Sequence, residues 1–178
     1  MNRRYSILII DDERGTREAM GKFLRPDYDV TLAEDGEIGI NLINRNHYDL
    51  ILSDICMEPG PSGLDVLETA LKRTPSPPCI LFTAYGSIET AVDAVKKGAF
   101  DFVTKPVNFD RLEIIIRRAL ESVRLKEENT ELKRRLGSSF GIKGMIGNST
   151  KMKNIIETIE QVAPTRTTVM ITGESGTG

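Results

Sequence analysis

Four short apolar runs in this sequence each lead to a residue able to do ionic or nucleophilic chemistry. SILII runs into Asp11 and Asp12, LILSD closes on Asp54, CILFT closes on Thr83, and FDFVT leads to Lys105 and Pro106. Singly, each has a bland reading. The paired acids could cap a helix, Asp54 could be a turn residue, Thr83 is a common strand residue, and Lys105-Pro106 could start a helix. Together they offer three carboxylates, a hydroxyl and an ammonium. Carboxylates brought close repel, and two unit charges 4 Å apart interact by roughly 4 kcal/mol at an effective dielectric near 20. A hard divalent cation relieves this, and Mg²⁺ takes one or two carboxylates while keeping several waters. A phosphoryl group can enter those water positions, with a lysine and a hydroxyl for its other oxygens. Asp54 is then the candidate nucleophile, because carboxylates form aspartyl-phosphate intermediates, and Asp11 and Asp12 are left for the metal.

Such a site needs a frame that delivers these residues to one place. The apolar runs are SILII (6–10), YDVTLA (28–33), LILSD (50–54), CILFT (79–83) and FDFVT (100–104). Each has the length and content of a strand buried on both faces. Helical periods lie between and after them: Leu64, Leu67 and Leu71, then Ile88, Ala91, Val92 and Val95, and finally Leu112, Ile115, Ile116 and Ala119. Gly and Pro fall at the connections, as in PGPSG (59–63) and PSPP (75–78). This alternation predicts a parallel sheet with helices on both sides. Open sheets of that kind bind ligands outside the carboxyl ends of their strands, where all the candidate residues stand.

The totals exclude several classes. The chain has 178 residues and a net charge of −2, which leaves no broad basic surface for nucleic acid. No apolar run approaches the roughly 18 residues of a membrane span, and the start is not a signal peptide. Cys56 and Cys79 lack metal-ligand spacing and read as reduced thiols of a cytoplasmic protein; the single His47 cannot build a zinc site with them.

Beyond the fifth run, residues 109–136 contain neither Gly nor Pro and predict one long helix. Leu125, Asn129, Leu132 and Leu136 recur at 3.5-residue spacing, with Asn between leucines, as in the seam of a two-stranded coiled coil. A solvated linker helix is the plainer alternative. GSSFG (137–141) is expected to break the helix, Ser149 to cap another bearing Met152, Ile155, Ile156 and Ile159, and TTVMIT (167–172) to form a strand. The chain closes on GESGTG, whose Gly173 and Gly178 fill fixed positions of a phosphate-binding G-x-x-x-x-G-K-[ST] loop, with Gly176 between them. The Lys and hydroxyl of that motif are absent, so an ATP-using enzyme is not expected from this chain.

IIDDE, ILSDI, LFTAYG and FVTKP together resemble the four signature segments of a two-component response-regulator receiver domain. That resemblance covers residues 5 to about 120. It implies a flavodoxin-like (CheY-like) α/β fold with sheet order 2-1-3-4-5. It also implies that Asp54 is the phosphoacceptor, and that Asp11 and Asp12 are the acidic pair. Asp12, Asp54 and the backbone carbonyl of Cys56 would ligate Mg²⁺. Thr83 would be the switch hydroxyl, Phe102 the switch aromatic, and Lys105 the lysine preceding a cis Pro106. GMIGNSTKM and VMITGESGTG resemble the start of a sigma-54-activator AAA+ ATPase, so the whole is similar to NtrC-type transcriptional activators. The expected organisation is a receiver at 1–121, a helical linker at 122–141 and an ATPase fragment at 142–178. The implied partners are a sensor histidine kinase and a second copy of the chain. Sigma-54 RNA polymerase, DNA and ATP would be engaged only through parts of a longer protein. The receiver would catalyse only its own phosphoryl uptake and loss. One departure stands out. In DICMEPGPSGL, Glu58 takes a slot where the family has Pro, and Gly63 follows Asp54 by nine positions instead of eight.

Other readings of the same frame are separable. A flavin carrier needs a hydroxyl- and Gly-rich loop after the first strand, where DDERGT stands. A haloacid-dehalogenase-type hydrolase needs a general acid two residues after its nucleophile, where Cys56 stands. A metal-blind interaction scaffold would not respond to Mg²⁺.

Overall fold

The structure is a computed structural model, and it describes residues 4–83, 93–140, 149–165, 168–170 and 172, with the backbone alone at 134–140 and 160. The elements are β1 (Ser6–Ile10), α1 (Arg14–Leu24), β2 (Asp29–Ala33), α2 (Gly36–Arg45), β3 (Leu50–Asp54), α3 (Gly63–Leu71), β4 (Cys79–Thr83), β5 (Asp101–Thr104), α4 (Phe109–Phe140) and α5 (Thr150–Val162). Residues 93–96 are also helical. Two compact units result, Met1–Glu128 and Asn129–Gly178.

In the first unit the five strands form one parallel sheet in the order β2-β1-β3-β4-β5, as the resemblance implied. Period-two alternation splits their side chains between two cores. Ile7, Ile9, Leu50, Leu52, Ile80, Phe82 and Val103 face one side, covered by Met20 and Leu24 of α1 and by Leu112, Ile115, Ile116 and Ala119 of α4. Leu8, Ile10, Ile51, Cys79 and Leu81 face the other, covered by Ile43 of α2 and by Val66, Leu67 and Ala70 of α3. Because helices blanket both faces, β3 and β4 are buried at every position, which is why their sequences are unbroken apolar runs. β2 is an edge strand and is only partly buried, and its sequence is correspondingly more polar.

Register fixes where the functional residues emerge. Ile10 pairs with Ala33 and Ser53, Asp54 with Phe82, and Thr83 with Thr104. The strands therefore finish nearly level, and whatever follows each one reaches the same rim.

Two expectations require correction. Helix α4 does not stop before Gly137; it continues to Phe140. A propagating helix adds a bond with each residue, so one glycine costs only about 1 kcal/mol and need not end it. The stretch expected as a strand at 167–172 shows no strand at its described residues 168–170 and 172. A strand needs a neighbour for its backbone groups, and among the described residues no strand pairs with this segment. Ser149 does cap α5, its Oγ accepting from the Met152 N–H at 3.2 Å. Most of the expected helix at 88–95 and all of Gly173, Gly176 and Gly178 lie outside the described residues. Among the described residues no helix is long and apolar enough to cross a membrane.

Candidate functional site

The rim gathers Asp11, Asp12, Asp54 and Lys105. One carboxylate oxygen from each of the three acids lies within 4.8 Å of the others, with Asp11 and Asp54 buried and Asp12 exposed. Lys105, next after β5, is placed by its own N–H donating to the Thr83 carbonyl at 2.8 Å. Its side chain is four-fifths buried and runs inward between two acids. Its Nζ pairs with Asp54 Oδ2 and lies 2.9 Å from Asp11 Oδ2. The Lys105–Pro106 peptide is cis.

Neither aspartate caps α1, whose N-cap is Glu13 without a side-chain bond. Asp11 Oδ1 instead accepts from the Glu13 N–H at 2.9 Å, which fixes the carboxyl in the turn. Its Oδ2 is buried and receives no hydrogen bond of good geometry, so the Lys105 contact is an ion pair rather than a directed bond. Burial pushes the Asp11 carboxyl up, and Lys105 and the Glu13 amide only partly offset that. For Lys105 the balance reverses. Burial disfavours its charge, but the hydrogen bond to Asp54 and the close carboxylates of Asp11 and Asp54 outweigh burial and hold the ammonium above its usual range.

Asp54 is held from the loop that follows it. The Cys56 N–H donates to Asp54 Oδ1 at 3.2 Å, and the Ile55 N–H donates to the Phe82 carbonyl at 3.0 Å. Helix α3 then starts directly against this turn. The Gly63 N–H donates to the Ile55 carbonyl at 3.0 Å, and a Cβ on Gly63 would lie 2.1 Å from the Asp54 carbonyl oxygen. Only glycine allows that approach. A capping box holds the helix start: Ser62 Oγ donates to Asp65 Oδ2 at 2.7 Å, and the Ser62 and Asp65 amides each donate to the other's side chain. The longer loop turns at Gly60, whose φ of +130° suits glycine, and it leaves Glu58 exposed and outside the carboxylate cluster.

Thr83 is buried at the end of β4. Phe102 is half-buried and packs against the core cluster that includes Ala94 and Ala99. On α4, Leu125 and Leu132 are 54% and 58% exposed and Asn129 is exposed, and Leu136 lies where the backbone alone is described. Three carboxylates against one ammonium leave excess negative charge on hard oxygen donors, and one buried oxygen has no directed donor. Such a set fits Mg²⁺.

Sequence reasoning missed Arg17. From α1 its Nη1 donates to the Asp11 carbonyl at 2.6 Å and approaches the Asp12 carbonyl at 3.4 Å. The only available signal was its position, a long guanidinium about one and a half turns beyond the acidic pair.

The response regulator receiver domain family matches residues 7–117, and the sigma-54 interaction domain family matches residues 145–178. The regulatory protein AtoC of Escherichia coli K12 is 36% identical over 173 residues, covering 97% of this chain and 37% of that protein. The nitrogen assimilation regulatory protein NtrX of Azorhizobium caulinodans is 35% identical over 176 residues, covering 98% and 38%. The crystal structure of NtrX from Brucella abortus superposes with a TM-score of 0.70 at 34% identity, covering 92% of this chain and 35% of that one. The chain spans little more than a third of the length of these curated relatives. A match over most of the first unit, on a sheet with this order and this rim, makes the chain a member of the response regulator receiver family.

Proposed function

We propose that this chain is the phosphorylatable switch of a two-component regulator, taking a phosphoryl group from a sensor histidine kinase onto Asp54 in the cytoplasm. The observation that carries this reading is the meeting of three carboxylates and Lys105 at one rim of a receiver-family sheet. Asp12, Asp54 and the Cys56 carbonyl would hold Mg²⁺, with Asp11 completing the acidic pair. Bound there, the ion would supply charge neutralisation for an incoming phosphoryl group. The protein's own groups do the rest. An Asp54 carboxylate oxygen attacks phosphorus, the P–N bond of the donor phosphohistidine breaks, and the imidazole leaves with the bonding electron pair. Lys105 Nζ, already paired with Asp54, is within reach of oxygens carried by that carboxylate and pairs with them. The Cys56 amide keeps the carboxylate oriented.

Readout passes through Thr83 and Phe102. The Thr83 hydroxyl moves to the new phosphoryl oxygens, and Phe102 turns into the space left behind. Driving such a switch from 1:99 to 99:1 takes about 5.5 kcal/mol of differential stabilisation, which several charge-assisted contacts together can reach. Residues 1–121 act as the receiver, 122–141 as the linker, and 142–178 as the start of a sigma-54-type AAA+ module that uses ATP in a longer protein. Leu125, Asn129, Leu132 and Leu136 form the seam of a homodimer that phosphorylation rearranges. Intact mass after incubation with acetyl phosphate, followed by sizing chromatography, tests both steps. One added phosphoryl group that requires Mg²⁺, with a changed elution volume, is expected; no mass change in folded protein contradicts the reading.

A further inference from the structure

We infer that Arg17 is a positioning residue for the cation site, clamping the backbone of the acidic turn from helix α1. The inference rests on the proposed Mg²⁺ site. The turn at 11–13 carries two of the three carboxylates, yet its backbone leaves the sheet there and loses its strand partners. The Asp11 N–H still reaches the Ala33 carbonyl at 3.3 Å; past that point the carbonyls of Asp11 and Asp12 meet a guanidinium instead of a strand. The Arg17 side chain is 12% exposed, and its Nη2 lies 3.9 Å from the exposed Glu34 beyond β2. Its fork therefore spans the turns after β1 and β2. No described contact joins it to the carboxylate oxygens of Asp11 or Asp12, so it does not compete for the atoms a cation needs.

A planar fork with five donors fixes two carbonyls in a way that a point charge cannot. With the fork removed, the turn becomes freer and the ion must order it on binding. Ordering one backbone residue is equivalent to about a tenfold change in an equilibrium constant. Charge alone predicts the opposite, because deleting a nearby cation lowers the repulsion felt by Mg²⁺. The sign of the change separates the two roles.

The test is calorimetric titration of the metal-free chain with Mg²⁺, without phosphodonor, for wild type, Arg17→Met, Arg17→Lys and Glu34→Gln. Circular dichroism and urea unfolding check the fold. Arg17→Met is expected to bind about tenfold more weakly, Arg17→Lys to fall between it and wild type, and Glu34→Gln to stay within twofold. With acetyl phosphate, the Mg²⁺ concentration giving half-maximal labelling should rise by the same factor while the rate at saturating Mg²⁺ holds. A merely structural defect would lower that plateau. Equal or tighter binding by folded Arg17→Met overturns the clamp. Should Arg17→Met fail to fold, Arg17→Lys decides: weaker binding supports the clamp and unchanged binding overturns it. Wild type that binds no Mg²⁺ sinks the proposed function itself, whereas wild-type binding unaltered in Arg17→Met sinks the clamp alone.

Discussion

Adding one methyl group at Gly63 tests how tightly helix α3 is seated against the acceptor turn. The new Cβ would stand 2.1 Å from the Asp54 carbonyl oxygen and 2.9 Å from the Ile55 Cα, where ordinary contact begins at 3.4 Å. The shortfall against the oxygen, 3.4 less 2.1, is 1.3 Å, and both obstacles are backbone that no rotamer change can move. Either α3 slides, breaking the 3.0 Å bond from the Gly63 N–H to the Ile55 carbonyl, or the Asp54 turn is displaced. Overpacking of this kind costs roughly 1–3 kcal/mol, and loss of the hydrogen bond adds about 1 kcal/mol. Alanine's advantage over glycine in helices, at most about 1 kcal/mol, recovers part of that. The net expectation for Gly63→Ala is about 2 kcal/mol of destabilisation, with slower labelling of Asp54. Gly15 in α1 supplies the contrast, because a Cβ there meets nothing within 4 Å. Gly15→Ala should stabilise by about 0.5 kcal/mol through the same helix preference. Urea unfolding in EDTA measures both. The two variants shifting the same way, or Gly63→Ala unfolding like wild type, would refute the packing argument.

Other consequences follow from the same geometry. Lys105→Met leaves three acids without their cation, so in EDTA it should lose about 2–4 kcal/mol to urea unfolding, and added Mg²⁺ should restore more of its stability than it gives wild type. Asp11→Asn removes a buried carboxylate whose oxygen lacks a directed donor, so the metal-free variant should unfold at higher urea than wild type while losing stabilisation by Mg²⁺. Iodoacetamide should label exposed Cys56 in the native chain and spare Cys79 until it unfolds. Burial pushes the Cys79 thiol up to about 12 from 9.0. The folded chain keeps that proton while the unfolded chain loses it, so stability is full below pH 9 and falls by roughly 1.4 kcal/mol per pH unit above it. Cys79→Ala should lack that slope, as urea unfolding between pH 9 and 11 would show.

How much of this could be read in advance depended on what kind of contact carried it. β1, β3 and β4 matched their apolar runs residue for residue, because buried parallel strands have an uninterrupted apolar content and polar ends. β2 and β5 each begin one residue later than expected, since Tyr28 and Phe100 add apolar character just outside the paired stretch. The rim was visible through its side chains, whose types declare their chemistry. Arg17 was not, and Gly63 was marked only by its spacing from Asp54 and not by its packing, because both act on backbone carbonyls and a carbonyl has the same identity at every residue. The run of α4 through Gly137 was hidden for another reason: a local breaker signal is weak against a helix that is already propagating. Buried Asp49, which accepts from the Ser6 N–H at 2.8 Å and stitches β1 to the start of β3, escaped in a similar way, because a backbone amide is as anonymous in a sequence as a backbone carbonyl.

The most direct test of the account locates the phosphoryl group. Chain treated with acetyl phosphate and Mg²⁺ is reduced with borohydride, which converts an aspartyl phosphate to homoserine, and its peptides are sequenced by mass spectrometry. The account predicts homoserine at position 54 only when Mg²⁺ and donor are both present. Conversion at Asp11 or Asp12, or phosphate uptake indifferent to Mg²⁺, would contradict it.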